Sequence, residues 1–589
     1  MYDLGLIGNC QSLALVSPQG SIPWLCWPRP DSPPIFGHIL DADGGVFSIC
    51  PAGETHSATQ RYIPNTNIIE STITSDDGSY TITDLLPRFE QHGRTYRPLT
   101  LIRIVRRVTG QPQITVRCRP VQGWTKTPAP VMRGNSHVRF QGYSDELRLT
   151  TNLPLTYLLE EQSTSLMGTL YFALTWGVPV EGDLGQACED FLHRTTDHWR
   201  NWVRSTTIPV HYQREAIRSA LVLKLHCFEE TGAVLAAATS SLPEEPGGVR
   251  NWDYRFCWLR DAFFTVGALY RLGHSSELEG ILGFLLDVAQ RGKDNILHPV
   301  YRLDGTLPLP ELEHPEWAGS SGSKPVRSGN QAAEHVQNDV YGEMLLVLAA
   351  LYQDERFAHL RGPDWESLLI TLAGRCRDCL AEPDAGLWEL RGGWKPHAFS
   401  TLLCWAGLDR FAELAERGQV AVDAAPWRLA AAAADHQLRL SVQHGVLFNA
   451  PGEDVTDASL ALLPLLRHPD RELSRRTVAT IVDQLSVRED GQATGFFYRY
   501  RYRDDFGLPE SAFVVCSFWV AEALAKLGQT DEAENILKRS LSAANGLGLF
   551  AEHYNPGECR QTGNFPQCYS HVGLIHAAFA ISPAWPSVI

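Results

Sequence analysis

The sequence predicts a chain in two parts: an antiparallel β-sandwich of about 200 residues, then one large α-domain or α-toroid. Two observations predict it. Up to about residue 200, short β-branched segments are separated by turn residues and show no βαβ alternation. Beyond that point, apolar residues recur at helical spacing in one stretch after another, joined by loops rich in Gly and Pro.

In the first part, Ile68–Ile73, Tyr80–Leu85, Leu101–Val108 and Gln113–Cys118 read as strands, with turns such as Asp76-Asp77-Gly78 between them. The character changes near residue 190. Ala216–Glu230 places Ile217, Leu221, Leu225 and Phe228 on one helical face. Further helices are expected at Ala262–Leu272, Leu278–Gln290, Asp339–Leu351, Glu366–Leu380, Trp405–Ala415, Ala458–Leu466, Thr477–Leu485, Phe513–Leu527 and Asp531–Ala544. A second domain over 201–589 is too large for a four-helix bundle. The longest connection, 302–331, is the kind of loop that carries binding residues.

Composition limits the function. The chain has 589 residues, 44% hydrophobic and 20% charged, with 51 basic and 67 acidic side chains and a net charge of −16. That balance disfavours nucleic acid or an anionic membrane as partner and suits a small neutral substrate. Sixteen Trp and 18 Tyr supply many rings able to stack on sugar faces. The 13 cysteines are odd in number and scattered; Cys376 and Cys379 form a lone CxxC without a second pair, so no metal site is expected. No basic stretch precedes the first apolar residues and no window suits a membrane span, so a cytoplasmic protein is expected. No Gly-rich loop has P-loop or dinucleotide spacing, so no nucleotide cofactor is implied.

The most informative segment is Asn251-Trp252-Asp253-Tyr254-Arg255-Phe256-Cys257-Trp258-Leu259-Arg260-Asp261. Its rings can stack on the C–H faces of a polyol, and an adjacent Arg-Asp pair offers donors and acceptors to vicinal hydroxyls. A buried Trp-rich helix start with an internal ion pair has the same composition. Two later carboxylates favour a functional reading. Glu389 stands between Trp388 and Leu390, where apolar walls would raise a carboxyl pKa as a general acid requires. Glu552, at the start of a polar turn running toward Gly563-Asn564-Phe565, would stay ionised and serve as a base.

These pieces resemble glycoside hydrolase family 15, the glucoamylase, glucodextranase and trehalase-like group, in its two-domain bacterial and archaeal form. Ile7-Gly8-Asn9, Trp24-Leu25-Cys26-Trp27-Pro28, Asp41-Ala42-Asp43-Gly44-Gly45, Arg61–Asn67 and Thr83–Pro87 are similar to its N-terminal domain. Ser241–Glu245, Gly247–Tyr254, Lys324–Asn330 and Gln337–Glu343 follow in the family's order. The resemblance implies an N-terminal β-sandwich followed by an (α/α)6 barrel. It also implies that Trp258, Arg260 and Asp261 bind the terminal glucose, with Tyr254 as an aromatic wall. Glu389 would be the general acid and Glu552 the general base of an inverting glycosidase, whose carboxyls stand about 6.5–9.5 Å apart. Trp388 is a further candidate pocket residue, sharing its two-sided reading with the core candidate Trp405.

The chain departs from the family pattern at two places: Thr401 occupies a frequent Lys position, and His553 replaces an acid after Glu552. His397 and His571 read as loop histidines able to touch a hydroxyl, and Arg503 as a solvated charge or a sugar contact. The favoured expectation is exo-hydrolysis of short malto- or isomalto-oligosaccharides. Trehalose hydrolysis by the same pair is the alternative, and a catalytically silent sugar-binding protein a further one. A disaccharide phosphorylase would need only one carboxylic acid, and Glu552 weighs against it.

Overall fold

The computed structural model describes residues 2–292 and 296–588. Strands in the first part pair antiparallel. The larger sheet has eight, in the order Val131–Arg133, His137–Phe140, Leu147–Thr151, Leu170–Trp176, Thr100–Gly110, Gly78–Leu85, Ile69–Ser75 and Thr55–Tyr62. In Ile69–Ser75 buried and half-buried side chains alternate without a break, the period-two pattern of a sheet with one face on a core. A four-stranded sheet containing Val46–Pro51 and Gln113–Arg119 covers that face, with Phe47 edge-on to Phe172 at 6.0 Å. Buried Arg103 joins the layers: it pairs with Asp84 at 2.7 Å and donates to the carbonyls of Phe47 and Gly20 at 2.9 and 2.8 Å. Its fork is thus largely satisfied, which a buried guanidinium requires.

After the last strand of the sandwich, Asp183 caps the 21-residue helix Leu184–Arg204, its side chain accepting from Gln186 N at 2.8 Å. Twelve helical segments then form a closed double ring. The inner ones are Leu259–Leu272, Asp339–Gln353, Ala398–Glu416, the 3-10 turn Ala458–Leu462, Val514–Leu527 and Cys568–Ile581. Each packs on the next, and the last returns to the first. Gln213–His226, Ser275–Arg291, Pro363–Asp378, Ala425–Arg439, Arg471–Leu485 and Thr530–Ser540 lie outside them. This is the expected (α/α)6 barrel. At Gly342 an added Cβ would stand 2.3 Å from the backbone of Leu403, so the second and third inner helices meet almost backbone to backbone.

Several helices depart from the sequence reading. Ala458–Leu466 contracts to the 3-10 turn Ala458–Leu462: Leu463 keeps helical dihedrals, but Pro464 has no N–H to continue the hydrogen-bond ladder. Ala425–Arg439 and Cys568–Ile581 were not expected. The first is alanine-rich, with few large apolar residues to mark a face. The second is apolar nearly all round and shows no period, as a helix buried on every side should. His571, read as a loop residue, lies fully buried inside that helix, its ring between Ser219 Oγ at 2.9 Å and Phe550 N at 3.2 Å. No helix among the described residues is long and apolar enough to cross a membrane.

Candidate active site

A cleft of about 850 Å³ opens at the end of the barrel where the inner helices begin. Trp258, Phe513 and Gln567, the residues just before three of those helices, all line it. The segment leading to Trp258 is braced from below by the sandwich. Arg255 forks onto Asp253 at 2.6 and 2.8 Å and donates to the carbonyls of Pro30 and Ser32, while Trp24 Nε1 donates to Ala238 O at 2.8 Å.

Seven of the residues singled out in the sequence reach this one cleft: Tyr254, Trp258, Arg260, Asp261, Trp388, Glu389 and Glu552. Trp258 Nε1 donates to Glu389 Oε1 at 2.6 Å, and Arg260 Nη1 donates to the same oxygen at 3.2 Å. Among the described residues no hydrogen bond reaches Glu389 Oε2. Tyr254 donates its hydroxyl to Glu552 Oε1 at 2.8 Å, and the Tyr254 and Trp258 rings meet edge to face at 5.5 Å. Two touching aromatics therefore each hold one of the two glutamates. Burial, with Glu552 and Glu389 nearby, pushes the Tyr254 hydroxyl well above its ordinary pKa, so it remains a donor. Arg260 also forks onto Asp261 at 2.9 and 3.2 Å and donates to Leu387 O at 2.9 Å. Burial raises the Asp261 carboxyl despite the opposing Arg260 charge.

The environments of the two glutamates are the reverse of the expectation. The Glu389 side chain is 21% exposed and faces a guanidinium and an indole N–H, whereas Glu552 is 3% exposed. Sequence neighbours mislead here because Glu389 sits at φ 63°, which turns its side chain toward Arg260; Trp388 instead donates to Asp457 at 2.8 Å. The polar turn after Glu552 is a hairpin, His553–Asn555 with Arg560–Thr562, added to Ala512–Phe513, and its strand residues are largely covered.

A strap at 504–507 ties the rims of the cleft together. Arg250 bonds the Asp504 carboxylate and donates to Gly507 O at 2.9 Å; on the opposite rim, Asp505 accepts from the amides of Arg391 and Gly392 at 2.6 and 3.3 Å. Phe506 lies between them, edge-on to Trp252 at 5.3 Å and 5.1 Å from the Arg391 guanidinium. The 302–331 loop joins through Glu311, which accepts both bonds from Arg391 Nη2 at 2.9 Å.

Other candidates fall away from the cleft. Thr401 is buried and its hydroxyl bonds back to His397 O at 3.2 Å, and Trp405 packs on His468 at 4.7 Å. His397 bonds Asn449 at 3.2 Å, and Arg503 is exposed. Sequence reasoning missed Arg499 and Glu244, both buried in the cleft wall. Arg499 belongs to the same alternating run as Arg503, and only burial separates them. Cys376 and Cys379 lie at the end of helix Pro363–Asp378, the latter 3.9 Å from Cys404, all as free thiols. No group of three or more His, Cys, Asp or Glu among the described residues is placed to hold a metal ion.

An (α/α)6 ring opening on an aromatic, carboxylate-lined cleft has the parts of a glycoside hydrolase, and comparison with known proteins establishes that class. The model described as glycosyl hydrolases family 15 matches residues 211–579, and that described as trehalase-like, N-terminal matches 2–160. A trehalase of Mycolicibacterium smegmatis is 35% identical, covering 98% of this chain and 90% of its own. Trehalase 1 of Sulfolobus acidocaldarius is 30% identical over 98% of both chains. A bacterial glucoamylase crystallised with acarbose superposes with a TM-score of 0.66 at 14% identity, over 98% of this chain and 93% of that one, a likeness of fold. The chain belongs to glycoside hydrolase family 15.

Proposed function

We propose that the enzyme hydrolyses trehalose, inverting one anomeric centre, with Glu389 as general acid and Glu552 as general base. The observation that carries the substrate is the similarity, along nearly the entire chain, to proteins named trehalase in both a mycobacterial and an archaeal source. It favours trehalose over the malto- and isomalto-oligosaccharides first expected, because the glucoamylase likeness speaks for the fold alone.

The chemistry follows from the cleft. Arg260 and Asp261 hold hydroxyls of the inner glucose against the Trp258 and Tyr254 rings. Both donors to Glu389 converge on Oε1, which leaves Oε2 to carry a proton to the glycosidic oxygen. Glu552, fixed by Tyr254, takes a proton from a water attacking the anomeric carbon on the opposite face. Trehalose then gives one β-glucose, from the attacked ring, and one α-glucose, from the departing ring. Trp252, Arg391 and Phe506, further out in the cleft, form the place for that second ring.

Incubation with trehalose, maltose and isomaltose, read by glucose release and by proton NMR of the first anomers, tests the reading. Trehalose should be cleaved far faster than the other two, with equal initial α and β signals. Preferred cleavage of maltose would return the enzyme to the glucan reading, and two α signals would exclude inversion.

A further inference from the structure

We infer that His553 is a positioning residue for Glu552, held by Arg499 as the tautomer that carries its proton on Nδ1. The inference rests on the proposed role of Glu552 as base and adds how its second oxygen is controlled. Tyr254 occupies Oε1; His553 Nδ1 stands 3.4 Å from Oε2. On the far side of the ring, Nε2 lies 3.2 Å from Arg499 Nη1 and 3.8 Å from Glu244 Oε2. A guanidinium only donates, so Nε2 accepts, and the single proton of the neutral ring falls on Nδ1, facing Glu552. Glu244 would draw that proton to Nε2, but it is engaged by both terminal nitrogens of Arg499, at 3.0 and 3.2 Å, with Arg250 4.0 Å away.

Burial opposes ionisation of Glu244, yet the Arg499 and Arg250 guanidiniums hold it below the usual carboxylate range. The neighbouring Glu245 is bonded to Ser511, and the remaining face of the imidazole meets the apolar Phe513 ring at 4.6 Å. Among the described residues Nδ1 makes no hydrogen bond, and Glu552 Oε2 at 3.4 Å is the acceptor that faces it. Above the pair, Gly563 has φ 79°, and a Cβ there would stand 2.8 Å from Oε2 and 3.0 Å from Nδ1, so only glycine leaves room. At 3.4 Å the contact is longer than an ordinary hydrogen bond. A neutral N–H facing Oε2 fixes the rotamer of the carboxylate and turns its free lone pairs toward the cleft.

Nitrogen-15 NMR of the full chain labelled in its imidazoles reads the tautomer directly, with the H553N spectrum assigning the signal. The wild-type signal at pH 7 should be that of a protonated Nδ1 and a bare Nε2; protonated Nε2, or an imidazolium, overturns the proposal. In kinetics, H553A should lower kcat roughly tenfold with little change in KM. It should also move the acidic limb of the kcat/KM profile upward by roughly half to one pH unit, since losing a donor to the charged form raises the base's pKa. H553N, whose amide N–H can stand near Nδ1, should restore the limb; a limb unmoved in H553A overturns the role. E552Q run in parallel separates the two claims. If it retains near-normal activity, the base assignment falls and this inference with it. If it is inactive while H553A keeps the wild-type limb, only the role of His553 falls.

Discussion

At the scale of single residues, the cleft is a set of donors aimed at two carboxylates. Replacing Glu389 by Gln removes the transferable proton while keeping the shape, and kcat on trehalose should fall by about 10³-fold or more with binding retained. Stopped-flow binding and steady-state assays check this, and a loss below tenfold would take Glu389 out of the acid role. A different residue governs stability. Asp339 is fully buried on an inner helix, and burial together with Asp384 raises its carboxyl to about 7. An acid whose folded pKa lies above its unfolded value supports the fold at low pH and loses that support as pH rises toward the folded pKa. The melting temperature of D339N relative to wild type should therefore climb between pH 4 and 7, as scanning calorimetry would show. A difference constant across that window would refute it.

At the scale of elements, legibility in the sequence followed periodicity. Strands such as Ile69–Ser75 and helices with one buried face, such as Thr530–Ser540, could be found, because their pattern repeats along the chain. Cys568–Ile581 could not, since a stave buried on all sides has no polar face to set a period. The glutamates could be located by resemblance, but their surroundings could not. Those depend on a positive φ at Glu389 and on a hairpin pairing that joins His553 to Phe513 across 40 positions. The strap shows the same limit: Asp504 and Asp505 end the charged run that holds Arg503, and only the fold reveals that the turn they open spans two rims. D505A would release the Arg391 and Gly392 amides and loosen the turn bearing Glu389. It should lower kcat about tenfold while leaving the melting temperature near wild type, because near-attack geometry is sensitive to small displacements. Unchanged kcat would mean that the turn holds without the strap.

At the scale of the whole molecule, the sandwich is a brace for the cleft. Arg255 is the bolt: 1% exposed, it reaches from the cleft floor to Pro30 and Ser32 while paired with Asp253. R255A leaves Asp253 charged, buried and unmatched, a change that costs about 3–5 kcal/mol in comparable pairs. Chemical denaturation should register that loss, and D253N in the same chain should recover part of it. If the double variant is no more stable than R255A, the two side chains act independently.

The barrel closes only where Cys568–Ile581 packs between Gln213–His226 and Leu259–Leu272. During translation those earlier helices emerge more than 280 residues ahead of the stave that covers them. Their apolar flanks must wait uncovered on the ribosome, the situation in which nascent chains need chaperones. A frameshift anywhere ahead of Cys568 would leave that seam open, so damage far along the message should be as ruinous as damage early in it.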